Sequence, residues 1–286
     1  MRAMRSSRSR TGTHKCCACP VPVSLNRRAL LFSAGAAWGV LPPALAPGGA
    51  RAALVQFPAD SFHNRYILVR AGESNAEDQD KTFTNPVWKT SMMAGLSERG
   101  KAQVVRGVVP ALRALNVCDD SSCWIWPSIT QNAYQTAEVV AALTGVGRNR
   151  VIPEYSFLDL RGVGALDGRP VAVAYDLLHQ GDASDPNYKP PPNYDGTPNE
   201  SPADVLARGR QMLSVTETQY SGEDVVIISP DSDNLSILQA AVLGVDLRQH
   251  TRYAFRPGEV RELQLSDTPW DASPVQFACP NPPTCR

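Results

Sequence analysis

The feature that most constrains this chain is the run DVVIIS at residues 224–229, in which Val225, Val226, Ile227 and Ile228 are all apolar and β-branched. A strand with one wet face alternates apolar and polar residues. An unbroken run needs cover on both faces, the condition of a parallel sheet between helices. YILVR at 66–70 is a second such run, ending at Ala71 and Gly72, and CWIWP at 123–127 reads as a third. Between them, Val104, Val105, Val108, Leu112 and Leu115 recur at helical spacing over 98–116, with a kink predicted at Pro110. Further helices are predicted over 130–143, capped by Ser128 or Thr130, over 202–220, with Ser201 as cap and Pro202 in the first turn, and over 232–243. Residues 151–158 read as a short strand, 259–265 as an edge strand, and the tail from Ser266 as coil. Strands alternating with helices imply an α/β fold, a three-layer sandwich with a mainly parallel central sheet. Ligands in such sheets bind beyond the carboxyl ends of the strands, which here gathers Arg70, Ala71, Pro127, Ser128, Pro230 and Asp231.

The formal net charge of zero conceals a segregation. Residues 1–52 carry eight basic residues and no acidic one, leaving 20 basic against 28 acidic in the remainder, a net of −8. The acidic body argues against non-specific nucleic-acid binding. The Arg/Ser/Thr-rich stretch 1–24 has the composition of a transit peptide. Arg27 and Arg28 then precede an apolar run, 29–41, closed by Pro42 and Pro43, and Ala50-Arg51-Ala52 has the small-x-small pattern of a processing site. The run is well short of the ~20 residues of a spanning helix, so no transmembrane segment is expected. A transit-like region ahead of twin arginines resembles the bipartite targeting of thylakoid lumen proteins in plastids. A bacterial twin-arginine signal is the rival reading. Cleavage is expected near Ala52, leaving one domain over 53–286.

Outside the N-terminal segment the cysteines are Cys118, Cys123, Cys279 and Cys285. Four cysteines allow three pairings. Two local disulfides, 118 with 123 and 279 with 285, are expected on compartment grounds, against free thiols in loops. His63, His179 and His250 are widely spaced, and no Cys-x-x-Cys is present, so neither a zinc site nor any other cofactor is expected. Gly162, Gly164 and Gly168 miss the dinucleotide-binding spacing by one residue. Residues 181–202 hold six prolines and are expected to form a loop, either a rigid surface loop or a lid over the sheet edge.

Several segments together resemble the histidine phosphatase superfamily, the phosphoglycerate mutase-like fold. LVRAGES (68–74) is similar to its opening motif, in which a histidine stands between the Arg and the Gly. GLSERGKAQ (95–103) is similar to a helix start of the family, and PSITQNAYQTA (127–137) to the segment that supplies a second arginine. GALDG (164–168) and NESPADVLAR (199–208) look like the mutase branch, and VIISPDSDNL (226–235) occupies the place of the last strand and second histidine. The Arg-Ala-Gly-Glu-Ser variant also resembles a plant and algal plastid subgroup.

The resemblance implies a nucleophilic histidine, a phosphate clamp of two arginines and a second histidine, and a carboxylate proton donor. Here Arg70 keeps the first arginine and Ala71 stands at the nucleophile. Asn132 aligns with the second arginine, and Leu160, beside Asp159, with the acid. The second histidine falls on Asp231 or, in a competing alignment, on Pro230. A methyl group cannot form a phosphohistidine. The ligand-binding set so implied is Arg70, Gly72, Ser74, Asn132, Asp159, Arg161, Asp231 and Ser232, taking a small anionic or phosphorylated ligand, with Lys101 a further candidate cation. The leading expectation is a protein without phosphohistidine chemistry that binds such a ligand or regulates in the thylakoid lumen. The alternative is a phosphohydrolase-like enzyme using Asp231 and Arg70, with Glu73 and Asp233 able to help hold Mg²⁺. A third reading is a structural partner of a lumenal protein.

Overall fold

The structure, a computed structural model, describes residues 54–119 and 123–265. Its sheet has the order β2-β3-β1-β4, with β1 at Arg65–Arg70, β2 at Cys123–Pro127, β3 at Asp224–Ser229 and β4 at Val260–Glu262. β3 pairs parallel with both β1 and β2, and only β4 runs antiparallel, on the outer side of β1. The edge strand predicted at 259–265 thus forms over three residues. The strand predicted at 151–158 does not form. Only isolated bridges from Val151 to Ile125 and from Glu154 to Ser128 extend the sheet beyond β2.

Period-two alternation splits the strands between two cores. Ile67, Val69, Ile125, Val226 and Ile228 face one side. There they meet Val104, Val108 and Leu112 of a helical run and Ala133, Ala137 and Val140 of α4 (Gln131–Thr144). Tyr66, Leu68, Trp126, Val225 and Ile227 face the other. They pack on α6 (Pro202–Gln219), capped by Ser201 as expected, and on α7 (Asp233–Val242). The result is the three-layer arrangement the unbroken strands demand.

The run predicted over 98–116 is α2 (Glu98–Gln103), a π turn at Val104–Val108, and α3 (Val109–Ala114). Pro110 sits in the first turn of α3. The wider turn ahead of it accommodates a residue with no N–H to donate and a ring that crowds the preceding turn. The expectation that 181–202 is loop throughout is corrected at its start: α5 runs from Val171 to Ser184, a helix the sequence reading missed, and the irregular segment begins at Asp185. Ala174, Leu178 and Asp182 form its buried stripe, and the aspartate at the third position disguised it.

Between the tip of β1 and α2, two backbones meet at Gly72 and Gly100. A Cβ on Gly100 would lie 2.1 Å from the carbonyl oxygen of Glu73, and one on Gly72 would lie 2.5 Å from that of Gly100. Gly100→Ala is expected to cost about 1–3 kcal/mol, read as a lower urea midpoint at unchanged slope. Wild-type stability in that variant would show that the contact relaxes freely. Cys118, at the end of the α3 turn, and Cys123, opening β2, are joined by a disulfide. Cys279, Cys285 and the whole of 1–52 lie outside the described residues.

Candidate functional site

A small cleft, with a cavity volume of about 40 Å³, opens beyond the carboxyl ends of β1 and β3, where the parallel sheet predicts a site. Ser74, Asn132 and Asp231 of the predicted set line it, with Pro230 and Leu160 beside them. The remaining lining comes largely from residues the sequence reading did not single out: Ala76 and Glu77 of the short helix α1 (Asn75–Asp78), Lys81 to Thr84, and Val171 and Tyr175 of α5.

Ala71 is not a vacated seat in this cleft. It is 1% exposed and belongs to the core of Leu96, Val104 and Ala133. It continues the face of Ile67 and Val69 one step past the strand, so alternation turns its side chain toward α2 and α4. Arg70 points the other way, and both of its Nη atoms are already engaged, while its Nε is buried without a partner. Nη2 donates to Glu77 Oε1 at 2.7 Å and Nη1 to the carbonyl of Phe255 at 2.8 Å. The second oxygen of Glu77 accepts the backbone N–H and the hydroxyl of Ser74. A carboxylate of the chain itself thus occupies the anion-binding face of Arg70.

The other predicted residues are also spent internally. Asn132 donates to the carbonyls of Gly72 and Pro230. Asp231 Oδ2 accepts the N–H of Arg161 at 2.8 Å, and Oδ1 accepts the N–H of Asn234 at 3.0 Å and the hydroxyl of Ser229 at 3.3 Å. It therefore caps the first turn of α7, where a negative charge is favoured. Burial, and then the neighbouring Asp233, push its carboxyl up to about 6. Ser232 accepts from the N–H of Phe255, and Gly72 serves the backbone contact with α2. Asp159 lies outside the cleft and pairs with Lys89, while Lys101 pairs with Glu98 on the surface. Glu73 turns to α2, bonded to Arg99 and Ser97, so it does not join Asp231 and Asp233 in a shared Mg²⁺ site.

Arg161 departs furthest from expectation. It is 0% exposed and lies behind the cleft, not in it. Nη1 and Nη2 fork onto Asp182 at 2.6 and 2.7 Å, and Nη1 also reaches Asp233 at 2.9 Å. His250 Nε2 lies 3.1 Å from Asp182, and His179 Nε2 lies 3.0 Å from Asp233. Burial alone would raise the carboxyls of Asp182 and Asp233. The hydrogen bonds of Arg161 and His250 to the first, and the charge of His179 on the second, outweigh it and hold both below the usual range. His179, Asp182 and His250 have ligand atoms close enough for a metal ion, but the carboxylate of Asp182 is already bonded to the Arg161 guanidinium and to His250. Among the described residues no histidine lines the cleft: His179 and His250 sit in this cluster, and His63 is at the surface beside Glu217.

Two buried aspartates and one arginine leave one negative charge uncompensated, which an imidazolium cancels. Burial opposes the charged form of His179, but Asp233 and Asp182 together outweigh it, so its pKa is raised. A raised folded-state pKa gives stability that is complete below about pH 6.5, the unfolded value, and is lost as pH rises through the folded value. The melting temperature is expected to decline across that window, and His179→Gln to flatten the decline. An unchanged pH profile in that variant would remove the assignment.

The comparisons agree with this fold. The family model for the histidine phosphatase superfamily (branch 1) matches residues 66–276. Among solved structures, a mycobacterial glucosyl-3-phosphoglycerate phosphatase in complex with VO3 is similar at 20% identity and a TM-score of 0.54, covering 70% of this chain and 92% of that one. YhfR of Bacillus stearothermophilus is similar at 22% identity and 0.51, covering 70% and 90%. A histidine-to-alanine mutant of phosphoserine phosphatase from Entamoeba histolytica, in complex with phosphoserine, is similar at 17% and 0.52, covering 70% and 89%. No curated protein matches the chain. No helix among the described residues is long and apolar enough to cross a membrane. With the family model spanning most of the chain and the fold shared with these structures, the chain belongs to the histidine phosphatase superfamily.

Proposed function

We propose that this chain is a member of its superfamily that passes no phosphoryl group through histidine and acts as a ligand-binding or regulatory protein. The observation that carries this reading is the side chain of Ala71, packed in the core where the family motif has its nucleophile. Among the described residues an imidazole is absent from the cleft lining as well. The Entamoeba neighbour, a histidine-to-alanine mutant in complex with phosphoserine, shows that a protein of this fold holds a phosphorylated ligand with a histidine removed. The Arg70–Glu77 pair goes further, because it removes the cation a phosphate would need. A dianion beside the carboxylates of Glu77 and Asp231 meets repulsion, with Lys81 the one basic side chain of the lining among the described residues. The basic, twin-arginine segment of residues 1–52 supports a thylakoid lumen address and the plastid subgroup of the superfamily.

The second reading, a rewired phosphohydrolase, draws on Asp231, a carboxyl that lines the cleft and that burial pushes up to about 6. Against it, both oxygens of Asp231 already accept hydrogen bonds, and Arg70 is held by Glu77. The deciding experiment is turnover of p-nitrophenyl phosphate by the full chain with and without Mg²⁺, together with trapping of an acid-labile phosphoenzyme. Neither turnover nor trapped phosphate is expected. Turnover that disappears in Asp231→Asn would replace the first reading with the second.

A further inference from the structure

The polar groups of the cleft divide into two sets. Those of the predicted phosphate site, Ser74, Asn132 and Asp231, and Glu77 beside them, are consumed by the protein's own hydrogen bonds. Three others are not. Thr82 is 4% exposed and lines the cleft, and its hydroxyl is buried without any partner. Tyr175 lines the same cleft, its ring against His179 and its hydroxyl unbonded among the described residues. Lys81 lines it too, with its ammonium exposed and unpaired among the described residues.

These groups share one wall. The N–H of Thr82 donates to the carbonyl of Arg169, and the N–H of Val171 donates to Asp80, which ties the 80–82 segment to the first turn of α5. Tyr175 follows Val171 by one helical turn. Phe83, Leu160 and Val171 supply apolar surface in the same lining.

We propose that the cleft binds a small monocarboxylate with an apolar or aromatic body, its carboxylate held by Lys81, Thr82 and Tyr175. This rests on the reading that the site has lost its phosphoryl chemistry, and it names the ligand class that replaces phosphate there. Three donors from one wall match the acceptor-only character of a carboxylate. Tyr175 is fixed as a donor: burial, then the charges of Asp231, Asp233 and Glu77, keep its hydroxyl protonated. A single negative charge is balanced by Lys81, whereas a second would face Glu77 and Asp231 without a counterion. The buried, unpartnered hydroxyl of Thr82 is the cost that a bound acceptor removes.

The test is titration of the full chain with benzoate, benzyl alcohol and phenyl phosphate, followed by calorimetry or ligand-observed NMR. Benzoate is expected to bind most tightly of the three. Thr82→Val, which keeps the shape and removes the hydroxyl, is expected to weaken it about tenfold. Lys81→Met is expected to abolish the preference for benzoate over benzyl alcohol. Phenyl phosphate binding as tightly as benzoate, no binding of benzoate, or an unchanged benzoate affinity in Thr82→Val would each overturn the proposal. Its failure is separable from that of the phosphoryl reading: absence of benzoate binding leaves the turnover and trapping result standing, and turnover of a phosphate ester is read in a different assay.

Discussion

Replacing Arg161 with Met is expected to cost about 3–5 kcal/mol, a large share of the stability of a domain this size. The guanidinium is 0% exposed and is the only arginine or lysine bonded to Asp182 or Asp233 among the described residues. Methionine fills similar space but leaves two buried carboxylates with only His179 and His250 to answer them. At least one aspartate must then take up a proton or draw in water. Arg161→Lys keeps the charge but loses the two-pronged bond to Asp182, so it should fall between the two. The urea midpoint reads the effect, and soluble yield reads it should the Met variant fail to fold. A Met variant within about 1 kcal/mol of wild type would show that the cluster behaves as an exposed pair.

Installing the family's missing histidine, Ala71→His, is expected to produce no phosphoenzyme and to destabilise the domain by about 2–5 kcal/mol. The expectation follows from direction rather than from residue type. Ala71 faces Leu96, Val104 and Ala133 in a close-packed core, so an imidazole there overfills the space and buries two ring nitrogens. Phosphate would still find Arg70 taken by Glu77. Trapped phosphohistidine together with native-like melting would contradict the assigned orientation of β1's tip. Glu77→Gln makes an informative companion, because it weakens the carboxylate's hold on Arg70 while nearly keeping its shape.

The layered fold was legible because its strongest signals are local. DVVIIS and YILVR state by themselves that both sheet faces are covered, and the cap at Ser201 with Pro202 marks the start of α6. The site was legible in position but not in detail. Beyond-the-strand logic placed Asp231 and Pro230 at the cleft, and the family resemblance placed Asn132 there. The orientation of Ala71 was readable too, since Ile67, Val69 and Ala71 keep one parity, but motif alignment assigned it to the site regardless of parity. The Arg161 cluster was not readable. Its members come from the loop before Gly162, from α5, from α7 and from the turn at Leu247–Tyr253, and only the pair His179 and Asp182, one turn apart, leaves a local trace. Lys81, Thr82 and Tyr175 were missed because the loop and helix that carry them meet only in three dimensions.

The strand order carries a consequence for how the chain acquires its shape. β1 is an inner strand, yet its parallel neighbour is β3, and β2 joins the sheet only through β3. A ribosome extruding this chain therefore releases β1 and β2 long before either has anything to zip against, and the sheet assembles in one late step once residues 224–229 emerge. Loop closure over that span is slow and leaves apolar strands exposed meanwhile, so a premature stop before β3 should yield insoluble fragments rather than a smaller stable core.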